Sequence, residues 1–250
     1  CGAGLRVSGN HVQDAGQSGL WIDSAADLHV TGNTLEGSGM AGLFMSGYGD
    51  GYYEGTPNAA TDPHDILIED NEIIDNGTQG FALYDGHPSL ITFRRNAVSG
   101  NGSDPFYNYL GEALDISANY WGTATPDMAA VANGANTWSS YYVDAALMDL
   151  RSDEVYVDDD YNAAAEGWGL DHFASIATAV GHVLDGGTVH VAAGTYEESV
   201  DLGSAQSAGL SFVGEGRDVT FWEQPAGARI LCRNDTTTTE IYTMELTGFT

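Results

Sequence analysis

An asparagine recurs at the same place in four segments of the chain, and this regularity constrains the fold more than any other feature. Each segment reads apolar-x-apolar, two polar or small residues, Asn, a short apolar stretch, a turn containing Gly, and a second apolar stretch. The segments are Leu5–Ile22, Leu28–Met45, Ile66–Leu83 and Ile91–Ile116. The aligned residues are Asn10, Asn33, Asn71 and Asn96. The long interval after Asn33 is explained by one insertion, Gly47–His64.

The alternation within each segment is too short for helices and fits short strands joined by tight turns. Units of ~20–25 residues of this kind cannot bury an apolar face alone, whereas stacked units share one continuous core. Each strand is then expected to pair in parallel with its equivalent one turn later, ~4.8 Å away. The sequence therefore predicts a coil in which identical positions lie over one another.

Stacking places the four asparagines in one column, where side-chain amides can pass hydrogen bonds from turn to turn. We interpret this column as a structural ladder rather than as a ligand site. The same alignment places Arg94 over Glu69 and Arg95 over Asp70, which favours ion pairs between neighbouring turns. A catalytic arginine is the alternative interpretation.

This repeat resembles the right-handed parallel β-helix family, the pectate-lyase-like superfold, over residues 5–123. The resemblance continues into Asp115–Gly122, whose D-x-x-x-N-Y-W-G pattern is similar to the closing segment of many secreted proteins of this type. It implies an all-β, right-handed parallel β-helix. It says little about activity, because the fold carries lyases, esterases, hydrolases, fibres, adhesins and inert spacers.

The sequence after residue 123 indicates the start of a second coil. Regular alternation stops after residue 123, and we interpret residues 124–165 as a cap and linker. Leu170–Leu184 has apolar residues at helical spacing, with Asp171 as N-cap and Gly186-Gly187 as the end. The following G-G-T-V-x-V-x-x-G-T-Y-x-E pattern resembles the N-terminal cap and first rungs of a β-helix. The predicted domains are 1–123, the C-terminal part of one coil, and 166–250, the helix-capped start of a second.

The charge balance limits the partners. The chain has 36 acidic and 7 basic residues, a net charge of −29, which argues against nucleic acid and anionic membranes. No apolar run approaches the ~20 residues that span a bilayer. Both ends lie within a repeat, so we expect neighbouring β-helix domains or head-to-tail association, in which Cys1 of one subunit could pair with Cys232 of the next.

Two insertions, Gly47–His64 and Asp104–Glu112, carry aromatic and acidic residues that suit sugar stacking or Ca²⁺ coordination. The predicted ligand-binding residues are Tyr48, Tyr52, Tyr53, Tyr107 and Tyr109, and the predicted calcium ligands are Asp50, Glu54 and Asp62. No other cofactor is expected.

We expect an extracellular, cell-surface protein with a structural or adhesive role, which contacts polysaccharide or assembles into a filament. The alternative is a fragment of a polysaccharide lyase or a related carbohydrate-active enzyme, in which Asp115, Arg94 and Asp85 would be catalytic. The scattered histidines and carboxylates form no recognised catalytic pattern in the sequence, so the structural role is preferred.

Overall fold

Two compact units divide the chain, Cys1–Met148 and Asp149–Thr250. The computed structural model describes residues 4–23, 25–46, 64–200, 202, 209–223 and 245–249. Both units consist mainly of short parallel strands.

The described residues of the first unit form seventeen short strands, a 3₁₀ helix at Pro88–Leu90, and one turn of helix, α1 (Met128–Val131). The strands are β1 (Leu5–Ser8), β2 (His11–Gln13), β3 (Leu20–Asp23), β4 (Ala26–Thr31), β5 (Thr34–Glu36), β6 (Leu43–Ser46), β7 (His64–Glu69), β8 (Glu72–Ile74), β9 (Gln79–Leu83), β10 (Ile91–Arg94), β11 (Ala97–Ser99), β12 (Asp104–Asn108), β13 (Leu114–Asp115), β14 (Asn119–Tyr120), β15 (Ala132–Asn133), β16 (Asn136–Thr137) and β17 (Ser140–Tyr142).

These strands form a right-handed parallel β-helix, as the sequence predicted. Sheet A has the order β1-β4-β7-β10, sheet B within this unit the order β2-β5-β8-β11-β14-β17, and sheet C the order β3-β6-β9-β12-β15. A further pair, β13 and β16, continues the coil. Each turn thus contributes one strand to each face, and every pair is parallel because the chain returns to the same face after one full turn.

The interior follows from the alternation in sheet A. Leu28 lies beside Ile66, and Ile66 lies beside Ile91, so equivalent apolar residues stack along the coil. Their side chains are buried, as are those of the column two residues further on. Full burial of such a side chain contributes roughly 1.5–3 kcal/mol, which a single turn could not obtain without neighbours.

The asparagine column forms a ladder at the turn between sheets A and B. The side-chain amides of Asn10, Asn33, Asn71 and Asn96 each donate to the Oδ1 atom one turn further, at 2.9–3.0 Å, and the column ends on Asn119. The backbone N–H of each of these four residues donates to the same Oδ1 atom as its own side-chain amide does. The last four of the column's five members, from Asn33 to Asn119, are buried, so the ladder satisfies polar groups that water cannot reach.

The residue before each ladder asparagine adopts a left-handed conformation. The φ angles are 63° at Gly32, 55° at Asp70, 55° at Arg95 and 54° at Ala118. This backbone turns the chain from sheet A to sheet B within two residues. Glycine and aspartate suit it, whereas alanine there is strained.

The D-x-x-x-N-Y-W-G segment has a structural explanation. Asp115 accepts hydrogen bonds from the backbone N–H and hydroxyl of Ser117, which fixes the turn before Asn119. Trp121 is buried, with its ring centroid 6.2 Å from that of Phe93. Gly122 has φ 82°, and a Cβ there would lie 3.1 Å from Ser99 Cβ.

The structure corrects the prediction of a cap and linker over residues 124–165. The strands β15 and β17 pair with β12 and β14, so the coil continues for another turn past residue 123. Leu150–Val157 is itself a long strand of the second unit. The prediction missed these strands because polar and small residues interrupt the alternation that marks the earlier turns.

The second unit is a further parallel structure. Its elements are β18 (Leu150–Val157), β19 (His172–Phe173), α2 (Ile176–Val180), β20 (Val183–Val191), β21 (Gly194–Glu197), β22 (Ser211–Gly214), β23 (Thr220–Glu223) and β24 (Glu245–Thr247). Within it the strands run in the order β18-β20-β22-β24, with β19 beside β18 and a separate β21-β23 pair. The core includes Val155, Val189 and Phe212.

The helix α2 is shorter than the sequence predicted. It begins after the N-cap Ser175, not Asp171, and ends before Gly181. Gly186-Gly187 lies inside β20, so it does not end the helix. The backbone N–H groups of Ile176 and Ala177, in the first turn of α2, donate to the Glu198 carboxylate at 2.8 Å. These bonds satisfy donors that have no partner within the helix and hold its N-terminus in place. In the described parts of the chain, no helix has the length and apolarity needed to cross a bilayer.

Candidate functional site

The outer face of sheet C carries two neighbouring columns of side chains. In the first, Trp21 pairs with Phe44, Phe44 with Ala82, and Ala82 with Tyr107. The second column lies two residues further along each strand. It begins at Asp23, which pairs with Ser46. It continues through Tyr84 and Tyr109, because the Tyr84 N–H donates to the Met45 carbonyl and the Tyr109 N–H to the Leu83 carbonyl, which keeps the same register.

Five rings on these columns form a continuous series, which we call the aromatic strip: Trp21, Phe44, Tyr84, Tyr107 and Tyr109. The centroid of Phe44 lies 4.9 Å from that of Trp21 and 5.0 Å from that of Tyr84. Tyr84 and Tyr109 stack at 3.7 Å, and Tyr107 lies 3.8 Å from Tyr109. The strip therefore crosses four successive turns of the coil.

The two ends of the strip are its most accessible parts. Trp21, on the first turn, is 52% exposed and Tyr109, on the last turn, is 47% exposed, whereas the other three rings are partly buried. The indole N–H of Trp21 donates to Ser46 Oγ at 2.8 Å, which fixes the indole across one turn. Fixed, exposed rings lose little side-chain entropy when a ligand packs on them.

Carboxylates border the strip. Asp23 shares a column with the rings, and Asp85 directly follows Tyr84. The pKa of Tyr107 is raised above its usual value by burial, then by neighbouring Tyr109 and by the carboxylate of Asp104. The Tyr107 hydroxyl is therefore neutral at physiological pH, and its surroundings are acidic.

Such a surface can bind a ligand that combines apolar faces with hydroxyl groups. Aromatic rings offer apolar area with a polar rim, because Tyr and Trp carry hydrogen-bonding groups at their edges.

The sequence predicted part of this strip. Tyr107 and Tyr109 belong to it, whereas Trp21, Phe44 and Tyr84 were missed. The signal for two of them was present, because the aligned repeats place Trp21 and Phe44 at the same position of successive turns. The prediction relied on insertions and so overlooked rings that belong to the regular strands.

The remaining loop predictions lie outside the described residues. These are the ligand-binding residues Tyr48, Tyr52 and Tyr53, the calcium ligands Asp50, Glu54 and Asp62, and the cysteines Cys1 and Cys232. By sequence, the insertion that contains the six loop residues directly follows β6, which carries Phe44 and Ser46.

The residues predicted for the enzymatic alternative lie on separate elements with local partners. Arg94 Nε donates to Glu69 Oε1 at 3.1 Å at the end of β10, and Arg95 makes the equivalent bond to Asp70 at 2.9 Å. Asp115, on β13, accepts from Ser117. Asp85 follows β9 and accepts from the Gly86 N–H at 2.8 Å. These contacts support turns and neighbouring strands, as ion pairs and turn hydrogen bonds do elsewhere.

The second unit has a concave feature of its own. Tyr156 stacks between His172 and His190, with both centroid distances 5.0 Å. The pKa of Tyr156 is raised by its hydrogen bond to Glu154 and by burial. Beside this stack lies a shallow groove of about 280 Å³, whose wall includes Val213.

An acidic turn also lies in the second unit. Asp158, Asp159 and Asp160 present carboxylate oxygens within 4.8 Å of one another. Asp158 Oδ1 already accepts a hydrogen bond from the Asp160 backbone N–H at 3.0 Å. Turn formation accounts for this arrangement.

Comparison with known proteins agrees with the geometry of the first unit. A family model described as a right-handed beta helix region matches residues 1–120. No curated protein and no solved structure matches the chain.

Proposed function

We propose that the chain, whose residues 1–120 match a family model for right-handed β-helix regions, is an extracellular adhesive protein whose aromatic strip binds glycan chains. The observation that carries the proposal is the series of five rings over four successive turns of the coil, with the most exposed rings on the first and last of these turns.

The dimensions of the strip favour a linear polymer. Its two columns of side chains make it narrow, whereas a stable protein interface buries ≈ 800 Å² per partner. Trp21 and Tyr109 lie three turns apart, which corresponds to about 14 Å at ~4.8 Å per turn. A sugar chain that follows the coil axis contacts both end rings at once.

The chemistry of the strip also supports a sugar. A hexose ring has an apolar face of C–H groups that packs on aromatic rings, and its hydroxyls find partners at the tyrosine and carboxylate rim. In sheet C, β6, β9 and β12 pair with neighbouring turns on both sides and β3 pairs with β6, so the rings are positioned before the ligand arrives.

Other parts of the proposal rest on the sequence alone. Secretion to the cell surface, Ca²⁺ at the insertion after β6, and association with a second copy or with neighbouring β-helix domains remain predictions. They are compatible with glycan binding, because a surface adhesin can present the strip from a filament or from a longer chain.

Calorimetric titration with a panel of purified glycans tests the proposal. We expect Trp21→Ala or Tyr109→Ala to weaken binding about tenfold, since each removes a stacking contact worth roughly 1 kcal/mol or more. Trp168→Ala in the second unit is the matched control, because this tryptophan is 40% exposed but lies far along the chain from the strip. Equal affinity in all variants would contradict the proposal.

The same samples distinguish adhesion from catalysis. Incubation with polysaccharides, followed by absorbance of unsaturated products and by reducing ends, should show binding without turnover. Turnover that Arg94→Ala or Asp115→Ala abolishes would instead favour a carbohydrate-active enzyme.

A further inference from the structure

The charges around sheet C bear on which glycans the aromatic strip can accept. The described strands of sheet C contain neither lysine nor arginine, and the insertion 47–63 has neither in its sequence. Acidic residues border the rings at Asp23, Asp85 and Asp104. An anionic ligand would therefore meet like charges there, and the described strands of sheet C offer it no lysine or arginine.

The arginines of the first unit lie on a different face and have partners. Arg6 is on β1, where its Nη1 lies 3.2 Å from His29 Nδ1. Arg94 and Arg95 lie at the end of β10 and are paired with Glu69 and Asp70. Because sheet A rather than sheet C carries these guanidinium groups, they do not neutralise the border of the strip.

The periodicity of the strip adds a requirement on shape. Neighbouring turns are ~4.8 Å apart, which is close to the length of one hexopyranose unit in an extended chain. An extended polymer can thus advance by about one sugar for each turn of the coil. A strongly coiled polymer would lose contact with one of the two exposed end rings.

We infer that the strip selects neutral, extended glycan chains and discriminates against uronic-acid polymers. This inference rests on the proposed glycan binding and specifies its substrate class. Discrimination comes from the bordering carboxylates, which repel a charged chain but accept hydrogen bonds from the hydroxyls of a neutral one.

The test compares two classes of hexasaccharide by calorimetry on the intact chain. The neutral probes are β-1,4-linked glucan, mannan and xylan oligomers, and the acidic probe is a galacturonate hexamer. With divalent ions removed by chelation, we expect at least one neutral probe to bind more than tenfold tighter than galacturonate. Added salt should narrow the gap, since exposed charges are screened over ~10 Å at 0.1 M.

A charge-neutralising variant sharpens the test. Asp23→Asn combined with Asp104→Asn keeps an acceptor oxygen at both positions while it removes two negative charges. Galacturonate affinity should rise several-fold, and neutral affinity should stay within about twofold. Glu72→Gln, an exposed residue on sheet B, is the control and should change neither affinity.

The outcomes separate the inference from the proposed function. Galacturonate binding that is tighter than neutral binding, with or without added Ca²⁺, overturns the inference and leaves glycan binding intact. Binding of no probe overturns both. Neutral binding that is insensitive to Trp21→Ala overturns the assignment to the strip.

Discussion

The side-chain amide of Asn71 donates a hydrogen bond of 2.9 Å to Oδ1 of Asn96, one turn further along the coil. Asn71 Oδ1 in turn accepts from the backbone and side-chain N–H groups of Asn33, and Asn71 Nδ2 also donates to the Val30 carbonyl. One buried side chain thus satisfies polar groups on three turns, so its loss affects more than one rung.

Asn71→Ala should lower the free energy of unfolding by about 3 kcal/mol, because it leaves several buried donors and acceptors without partners. Denaturant titration measures the loss. Asn10→Ala is the control at the exposed beginning of the ladder, where about 1 kcal/mol or less is expected because water can replace the amide. Equal losses in the free energy of unfolding at the two positions would show that burial is not the reason why the ladder stabilises the protein.

Ala118→Gly should stabilise the first unit by about 0.5–1 kcal/mol, because Ala118 has φ 54° and glycine adopts that backbone without the strain that alanine has there. The reciprocal change, Gly32→Ala, should destabilise the protein by about 1 kcal/mol. A Cβ at Gly32 meets no atom within 4 Å, so the effect is purely conformational. Thermal unfolding should give a higher Tm for Ala118→Gly and a lower Tm for Gly32→Ala. A shift of both Tm values in the same direction would be inconsistent with this turn geometry.

Glu198→Ala should destabilise the second unit by about 2 kcal/mol. The carboxylate accepts three hydrogen bonds, from Ser175 Oγ and from the N–H groups of Ile176 and Ala177, and bonds to a charged group exceed the usual ~1 kcal/mol. Hydrogen exchange of these two amides should accelerate. Glu197→Ala is the matched control on an exposed neighbour, and it should leave their exchange unchanged. Slow exchange in the Glu198→Ala variant would argue against this capping role.

The second unit should lose stability between about pH 10 and pH 12. Burial, followed by the Asp159 carboxylate, raises the pKa of Tyr196 from 10.0 to about 12. In this window the unfolded chain binds fewer protons than the folded one. The free energy of unfolding therefore falls as pH rises, by less than about 1.4 kcal/mol per pH unit.

The variant Tyr196→Phe isolates this contribution. It removes the titrating hydroxyl and its 3.2 Å hydrogen bond to the Ala192 carbonyl, so we expect a lower stability at neutral pH but a shallower decline above pH 10. Urea titrations at a series of alkaline pH values give both quantities. An unchanged slope in the variant would mean that other groups cause the decline.

The sequence predicted the features that repeat regularly. Asn33 and Asn71 occupy the same position in the repeated pattern of their segments, and stacking requires that they meet. The pairing of Arg94 with Glu69 follows from the same alignment. Periodic patterns are predictable because one register error would expose the whole apolar set of a strand.

Features that depend on few turns were harder to predict. A second ladder runs from Asn76 to Asn101, and its backbone donor on the preceding turn is Ser38. Only two turns supply its amides, so the sequence shows no clear column. The helix α2 was overestimated because apolar residues at helical spacing continue into β20, where pairing with β18 and β22 outweighs local propensity.

The aromatic strip lies between these two cases. Trp21 and Phe44 repeat in register, but Ala82 interrupts their column, and Tyr84 and Tyr109 continue the strip from the adjacent column. Only the folded geometry shows that side chains from two columns form one continuous series of rings.

The dependence of affinity on glycan length tests the central claim most directly. For a neutral, extended oligosaccharide series titrated by calorimetry, affinity should rise steeply up to about three or four sugars, the span of the strip at ~4.8 Å per turn, and then level off. Trp21→Ala should shift the plateau to a shorter chain. An affinity that is independent of length from the monosaccharide upward would contradict a binding surface that runs along the coil.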